Sequence, residues 1–490
     1  MENPYKQVEW LVETSIEEIQ EKLDIGEVTS TELVKMYFYR IKEFDQKGPK
    51  INSILEINPE AIHIAETLDY ERKTTGKRGP LHGIPVVIKD NIDTGDKMHT
   101  SAGSLVLAES YAKEDAFLVK QLRKAGAIIL GKTNLTEWAN FMAEDMPTGY
   151  SSRGGQVLNP YGSHFIVGGS SAGSGAAIAA NFASVAVGTE TSGSILSPSS
   201  QNSLVGIKPT IGLVSRSGII PISHTQDTAG PMARTVADAV ILLNVLQGSD
   251  SKDPITSRNS LEDKDFTHFL MKNGLKGKRI GIVRKPYLES LKESKLTVIE
   301  KAIEEVEQLG AEIVDGVEIP SQELDEDITV MLYEFKNDLN AYLKNVDASL
   351  GVRTLADVIK KNNEIGEQAL KFGQKVLIQS EETTGNLTDP EYLSSLLKDA
   401  YLSREKGLNE VLEGENLDAL IFPDNDGAMI PAKAGYPSIT VPAGYTCEGE
   451  PVGITFTGTA YSEPRLIEIA YSYEQGTKHR VPPVLKGVKL

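Results

Sequence analysis

Four short apolar runs punctuate the chain: "IPVVI" at 84–88, "AIIL" at 127–130, "KRIGIV" at 278–283 and "LDALIFP" at 417–423. Each is too brief for a core helix and lacks the alternation of a half-exposed strand, so each reads as a strand buried in a core. Helical patterns lie between them. Thr29 and Glu32 form a T-x-x-E capping box ahead of "LVKMYFYRI", which opens a helix. "DAFLVKQLRK" reads as a helix closing near Gly126, just before the 127–130 strand. "LTVIEKAIEEVEQLG" links the 278–283 strand to "AEIVD" in a strand–helix–strand unit that sets parallel strands side by side. Strands alternating with helices in this way define an α/β protein. Between 321 and 413 the pattern turns helical and charged, which predicts a helical cover over one side of the sheet. The Pro/Gly-rich stretch "PDNDGAMIPAKAGYPSITVPAGY" predicts a set of structured loops.

With 490 residues, 40% hydrophobic and 24% charged, the chain has the composition of a soluble globular body with a large core. Its net charge of −19 repels phosphate backbones and argues against direct nucleic-acid binding. Cys447 is the only cysteine, so neither an internal disulfide nor a thiolate metal site is expected, which fits a reducing cytoplasm. The acidic start "MENPYKQVEW" lacks the basic and apolar regions of a secretory signal. The longest weakly polar run, 175–188, is broken by Asn181 and Ser184 and is shorter than the roughly 20 residues of a membrane span.

Chemistry concentrates in "GGSSAGSGAAIAANFASVAVGTETSGSILSPSS" (168–200), dense in hydroxyls and small residues, with Glu190 as its only charged residue and no histidine. "GSSAG" matches the G-x-S-x-G elbow with Ser171 as nucleophile, but that motif needs a preceding strand and "NPYGSHFIVG" makes a poor one. No lysine stands at the Walker position, and "SLLK" (395–398) lacks the partner motifs of an S-x-x-K enzyme and reads as a turn of amphipathic helix. His63, His82, His99, His164, His224, His268 and His479 show no metal-binding spacing and read as ordinary surface or core histidines. The remaining way to activate a serine is a lysine whose ammonium form is disfavoured by burial. Lys89, directly after "IPVVI", has the most suitable setting; Lys132 and Lys208 follow weaker apolar runs. The competing reading of Lys89 is a strand-end ion pair with Asp90 or Asp93.

With these pieces assembled, the chain resembles the amidase signature family. The likeness runs through "GPLHGIPVVIKDNID", "LRKAGAIILGKTNLTEWANF", "GGSSAGSGAAIAANFASVAVGTETSGSI", "LVGIKPTIGLVSRSGIIPISHTQDTAGPMARTVADA" and "PVGITFTG…IEIAYSYEQGTKHR", between about Gly79 and Arg480. The resemblance implies a single domain over 1–490, with a signature core at about 60–250 and a helical cover at about 320–415. It also implies a large mixed twisted β-sheet with helices on both faces. It further implies a Ser, cis-Ser, Lys triad of Ser194, Ser170 and Lys89, with a cis peptide before Ser170. The backbone N–H groups of Thr191, Ser192, Gly193 and Ser194 would form the oxyanion hole. Glu190 would orient the nucleophile loop and Asp227 would brace it, while Ser171 and Ser174 would be local packing and hydrogen-bonding residues. No metal or organic cofactor is implied.

Relatives that deamidate glutamine for tRNA charging commonly read G-G-S-I-R, whereas this chain has Ser192, Gly193, Ser194, Ile195 and Leu196. Leucine cannot form the bidentate pair that arginine makes with a carboxylate. "TSAGSL", "GKTNLTEWANF", "SSRGGQ" and "GTET" look most like bacterial peptide amidases, with residues 138–156 shaping the substrate site. The expected substrate is a C-terminal peptide amide or an amino-acid amide, with release of ammonia from a monomer or homodimer. The alternatives are the glutaminase component of a tRNA-dependent amidotransferase, a general aliphatic or aryl acylamidase, and a non-catalytic binding protein of the same fold.

Overall fold

A computed structural model describes residues 8–321 and 327–485. Its strands are β1 (Ile54–Ile57), β2 (Pro85–Lys89), β3 (Ile128–Thr133), β4 (Tyr150–Ser151), β5 (Gly155–Gln156), β6 (Val185–Glu190), β7 (Val205–Lys208), β8 (Thr228–Ala233), β9 (Arg279–Ile282), β10 (Glu312–Val314), β11 (Ala419–Pro423), β12 (Ser438–Tyr445) and β13 (Pro451–Thr457). β4 and β5 pair with each other, and the other eleven form one mixed sheet in the order β1-β3-β2-β6-β8-β7-β12-β13-β11-β9-β10. β2 runs parallel to both β3 and β6, while β8 returns antiparallel between β6 and β7. Val86, Val87 and Ile88 are fully buried, as are Ile128 and Leu130. Burial on both faces is why these strands read as continuous apolar runs. The strand–helix–strand unit is present as β9, the helix Glu293–Gln308 and β10, with β9 and β10 parallel.

The small residues of 168–200 have a packing cause. The helix Ala172–Ala179 is buried along its whole length. A Cβ on Gly173 would lie 2.3 Å from the Asn134 carbonyl oxygen and 2.5 Å from that of Ser53, so backbone meets backbone where no side chain fits. The helix then leads to β6, whose residues are also all buried. Ala and Gly thus let one helix lie flush against the strand ends that carry the polar groups.

Two expectations need correction. The stretch 424–445 is not a loop set: it contains the helix Met429–Ala434 and β12, an interior strand between β7 and β13. Pro442 disguises it. β12 pairs with β7 only through Ser438, Ile439 and Thr440, and its register with β13 shifts between Pro442 and Gly444. A proline without an N–H therefore falls where the ladder toward β7 has ended. The region after Ser321 is helical, with helices at Thr329–Leu343, Leu355–Ile365, Lys375–Glu382 and Pro390–Ala400. Its apolar side, however, packs on loops rather than on a sheet face. Met331, Phe335, Leu339 and Leu343 form a second core with Trp138, Phe141, Met142, Ile220 and Ile222. Among the described residues, no helix is long and apolar enough to cross a membrane.

Candidate active site

Parallel β2 and β6 end side by side in Lys89 and Glu190, at the carboxyl edge where open α/β sheets hold ligands. β8 runs the other way and begins at Thr228 opposite Glu190, which brings Asp227 to the same edge. Lys89 is fully buried. Its Nζ lies 2.7 Å from Ser170 Oγ, 2.9 Å from Thr189 Oγ1 and 3.2 Å from the Thr189 carbonyl oxygen. Burial lowers its pKa to about 7, against the opposing pull of the Asp227 and Glu190 charges.

Neither neighbouring aspartate is hydrogen-bonded to this amine. Asp90 accepts from the Ser101 hydroxyl and from the Gly103 N–H at 3.1 Å, and Asp93 accepts from Tyr342 Oη at 2.8 Å. The strand-end ion pair is therefore not what the structure builds. Lys132 and Lys208 are equally buried but donate elsewhere: Lys132 to the Ile92 carbonyl at 2.6 Å, Lys208 to the carbonyls of Pro431 at 3.2 Å and of Tyr436.

The Gly169–Ser170 peptide is cis. The Ser170 carbonyl accepts from Thr136 N at 3.0 Å, and Ser171 N donates to the Ser194 carbonyl at 3.2 Å, which lays the 191–195 turn beside Ser170. Ser194, in that turn, is 8% exposed. Glu190 holds this turn from beneath: Oε1 accepts from Gly193 N at 2.7 Å, and Oε2 accepts from Ile195 N at 2.7 Å and Leu196 N at 3.0 Å. Asp227 Oδ1 accepts from the Thr191 hydroxyl at 2.5 Å, and its Oδ2 from Ile222 N at 2.8 Å and Ser223 N at 2.9 Å. Gly193 takes φ +76, a left-handed conformation that glycine adopts without strain. One expected donor is corrected here. The Gly193 N–H is directed at Glu190 and not outward, which leaves Thr191, Ser192 and Ser194 as the candidate oxyanion donors.

Ser171 is buried and bonded to one residue: its Oγ donates to the Thr189 carbonyl at 3.0 Å and accepts from Thr189 N at 3.2 Å. No strand precedes it, so the elbow geometry is absent. Ser174 shares a 2.8 Å hydrogen bond with Thr133. Leu196 is 1% exposed and opens the helix Leu196–Gln201. Ser395 and Lys398 lie on the helix Pro390–Ala400, as expected.

Several participants carry no sequence signal of their own. Thr189 offers two oxygens to Lys89, and Asn91 Nδ2 donates to Thr189 Oγ1 at 2.9 Å. A cavity of about 190 Å³ adjoins this cluster, lined by Asn91, Thr189, Thr191, Ile220, Ile222 and Asp227 among others. From the stretch 138–156, only Ala139 reaches it. Trp138, Ala139 and Asn140 take left-handed φ values of 51, 55 and 71, a strained turn that presents Ala139 to the cavity. His224, ordinary by its spacing, meets Glu334 and Asp338, with candidate ligand atoms within 4.8 Å of one another. Glu334 already accepts from the Ser223 hydroxyl, Thr225 N, the Thr225 hydroxyl and Tyr392 Oη. Its carboxylate anchors the loop beside the cavity to the helical cover.

A fully buried lysine held on a serine hydroxyl, at the carboxyl edge of the sheet and close to a cavity, marks this cluster as the candidate active site. The chain belongs to the amidase family, whose profile matches residues 32–467. It is similar to the solved peptide amidase of Stenotrophomonas maltophilia, at 44% identity with a TM-score of 0.92, covering 99% of this chain and 100% of that one. An amidase family protein of Bacillus anthracis is 42% identical with a TM-score of 0.93, covering 97% and 93%. A glutamyl-tRNA(Gln) amidotransferase component of Methylobacillus flagellatus is 32% identical over 498 residues, 95% of this chain and 98% of that one. The protein is an amide-hydrolysing enzyme of the mixed α/β amidase signature fold.

Proposed function

We propose that the protein hydrolyses C-terminal peptide amides or amino-acid amides through an acyl-enzyme on Ser194, with Ser170 as proton relay and Lys89 as base. The observation that carries this reading is the 2.7 Å contact between Ser170 Oγ and a fully buried Lys89 amine. At neutral pH much of such an amine is uncharged and holds a lone pair. Ser194 Oγ attacks the carbonyl carbon, its proton passes to Ser170 Oγ, and the Ser170 proton passes to Lys89 Nζ. The negative oxygen of the tetrahedral intermediate meets the N–H groups of Thr191, Ser192 and Ser194; a single such donor is worth about 3–4 kcal/mol in other hydrolases. The resulting ammonium returns its proton through Ser170 to the leaving nitrogen, and the C–N bond breaks to release ammonia. Water then attacks the Ser194 ester, loses a proton to the relay and frees the carboxylic acid. The chemistry needs no metal or cofactor. Likeness to the Stenotrophomonas peptide amidase supports the substrate class. The buried Leu196 offers no cation for the free α-carboxylate of glutamine, which disfavours a glutaminase role.

The test is a panel of dipeptide amides, amino-acid amides, simple aliphatic amides, aryl acylamides and free glutamine, read by ammonia or amine release. A serine-directed phosphonyl fluoride is used alongside to label the nucleophile. Peptide amides should be turned over fastest, with label on Ser194 and none on Ser194→Ala. Preference for aliphatic amides or for glutamine would overturn the substrate assignment, and label on another serine would overturn the nucleophile.

A further inference from the structure

A neutral lysine amine has two hydrogens and one lone pair, and it works as a base toward Ser170 only if the lone pair faces that hydroxyl. The contacts around Lys89 specify which way it faces. Two of its three neighbours are oxygens of one residue, Thr189: the carbonyl at 3.2 Å and Oγ1 at 2.9 Å. The carbonyl can only accept. The hydroxyl oxygen accepts from the amine at 2.9 Å. Asn91 Nδ2 donates to Thr189 Oγ1 at 2.9 Å, filling one lone pair of that oxygen. With Lys89 filling the other, both lone pairs are taken and the hydroxyl's own hydrogen is directed away from the amine. Both Lys89 hydrogens are then held by Thr189, and the third direction, toward Ser170, receives the lone pair. Ser171 completes the clamp, donating to the Thr189 carbonyl at 3.0 Å and accepting from Thr189 N at 3.2 Å. Thr189 and Asn91 are 7% and 2% exposed, so little water competes for these bonds.

We infer that Thr189, fixed by Asn91, is the positioning residue that turns the lone pair of neutral Lys89 onto the Ser170 hydroxyl. This rests on the reading of Lys89 as the base. The charged groups acting on Lys89 are Glu190 at the end of β6 and Asp227 before β8, and both favour its ammonium form. Thr189 Oγ1 also accepts from the ammonium, so its removal disfavours the charged form and lowers the pKa that governs activity.

The experiment compares Thr189→Val, Thr189→Ser, Asn91→Leu and Lys89→Ala by kcat, KM and the pH profile of kcat/KM on a peptide amide. Thr189→Val, close to isosteric and suited to a strand, should lower kcat about 10- to 100-fold with little change in KM. It should also move the acidic limb of kcat/KM down by about one pH unit, the size of a lost hydrogen bond to a charged group. Thr189→Ser should restore both, and Asn91→Leu should lower kcat in the same direction. Wild-type kcat and limb in Thr189→Val and Asn91→Leu, with Lys89→Ala inactive, would overturn the positioning role and leave the base in place. A near-normal rate in Lys89→Ala would remove the base assignment itself, and this inference with it.

Discussion

Glu190 and Gly193 are tied across the turn that carries Ser194, carboxylate oxygen to amide at 2.7 Å, and the other carboxylate oxygen reaches Ile195 and Leu196. One side chain thus takes three donors from the turn. Glu190→Gln replaces one accepting oxygen with an NH2 group, so at least one buried N–H faces another donor. An unsatisfied buried group costs about 1–3 kcal/mol. Spread over the geometry of the turn, this should lower kcat/KM about 10- to 100-fold. Steady-state kinetics with a thermal melt check it; wild-type kinetics in Glu190→Gln would remove Glu190 from the support of the turn.

In the proposed mechanism only uncharged Lys89 accepts the relay proton, so activity should rise with pH through about 7 and level off above. The same shift sets a stability trend. An unfolded lysine keeps its proton to about 10.4, whereas folded Lys89 releases it at about 7, so between these values the unfolded state binds more protons and stability rises with pH. Below pH 7 both states are protonated and the burial penalty is fully present. The wild-type protein should therefore gain stability relative to Lys89→Met as the pH is raised across that window, measured by chemical denaturation. A constant difference would mean that Lys89 is not the shifted group.

Glu334 is fully buried and accepts four hydrogen bonds, three from Ser223 and Thr225 and one from Tyr392. Glu334→Ala releases the cavity-lining loop from the helical cover and leaves those donors unmet. A loss of about 2–4 kcal/mol is expected for breaking such a buried network. KM should rise more than kcat falls, since Ile222 and His224 line the cavity, whereas Lys89, Ser170 and Ser194 are not among its lining residues. Denaturant titration and steady-state kinetics read the two effects separately.

The buried strands are legible because burial on both faces makes them continuous apolar runs, and the helix Ser30–Arg40 because its capping box is local. β12 is not, because Pro442 and Gly444 are turn residues everywhere except where a strand has lost one neighbour. Lys89 can be singled out from the apolar run before it, since burial of an amine is a local property of a strand end. Its partners cannot: Thr189 lies 100 residues away, and its role comes from where the sheet places it. The Gly193 amide shows the same limit. Sequence offers four consecutive N–H groups, and only the fold directs one of them at Glu190. The helical cover is visible as helical, but its seat on the loops depends on pairings of distant apolar residues such as Phe335 with Phe141.

Asp227 allows charge and bracing to be separated at one position. Its carboxylate takes Thr191 Oγ1, Ile222 N and Ser223 N, and burial raises its pKa to about 6, so it is largely ionised at pH 7 and above. Asp227→Asn can keep all three contacts, with the amide oxygen accepting from Ile222 and Ser223 and the NH2 donating to Thr191 Oγ1. What it loses is the negative charge that favours the Lys89 ammonium. The acidic limb of kcat/KM should move to lower pH in Asp227→Asn, with kcat on the plateau changed less than about tenfold. Asp227→Ala removes the same charge and also frees Thr191, so it should show the same limb with a plateau at least about another tenfold lower, in line with the cost of unmet buried donors. An unmoved limb in both variants would mean that Lys89 does not feel Asp227 or does not govern the limb. Equal plateaus would mean that the carboxylate braces nothing that the reaction uses.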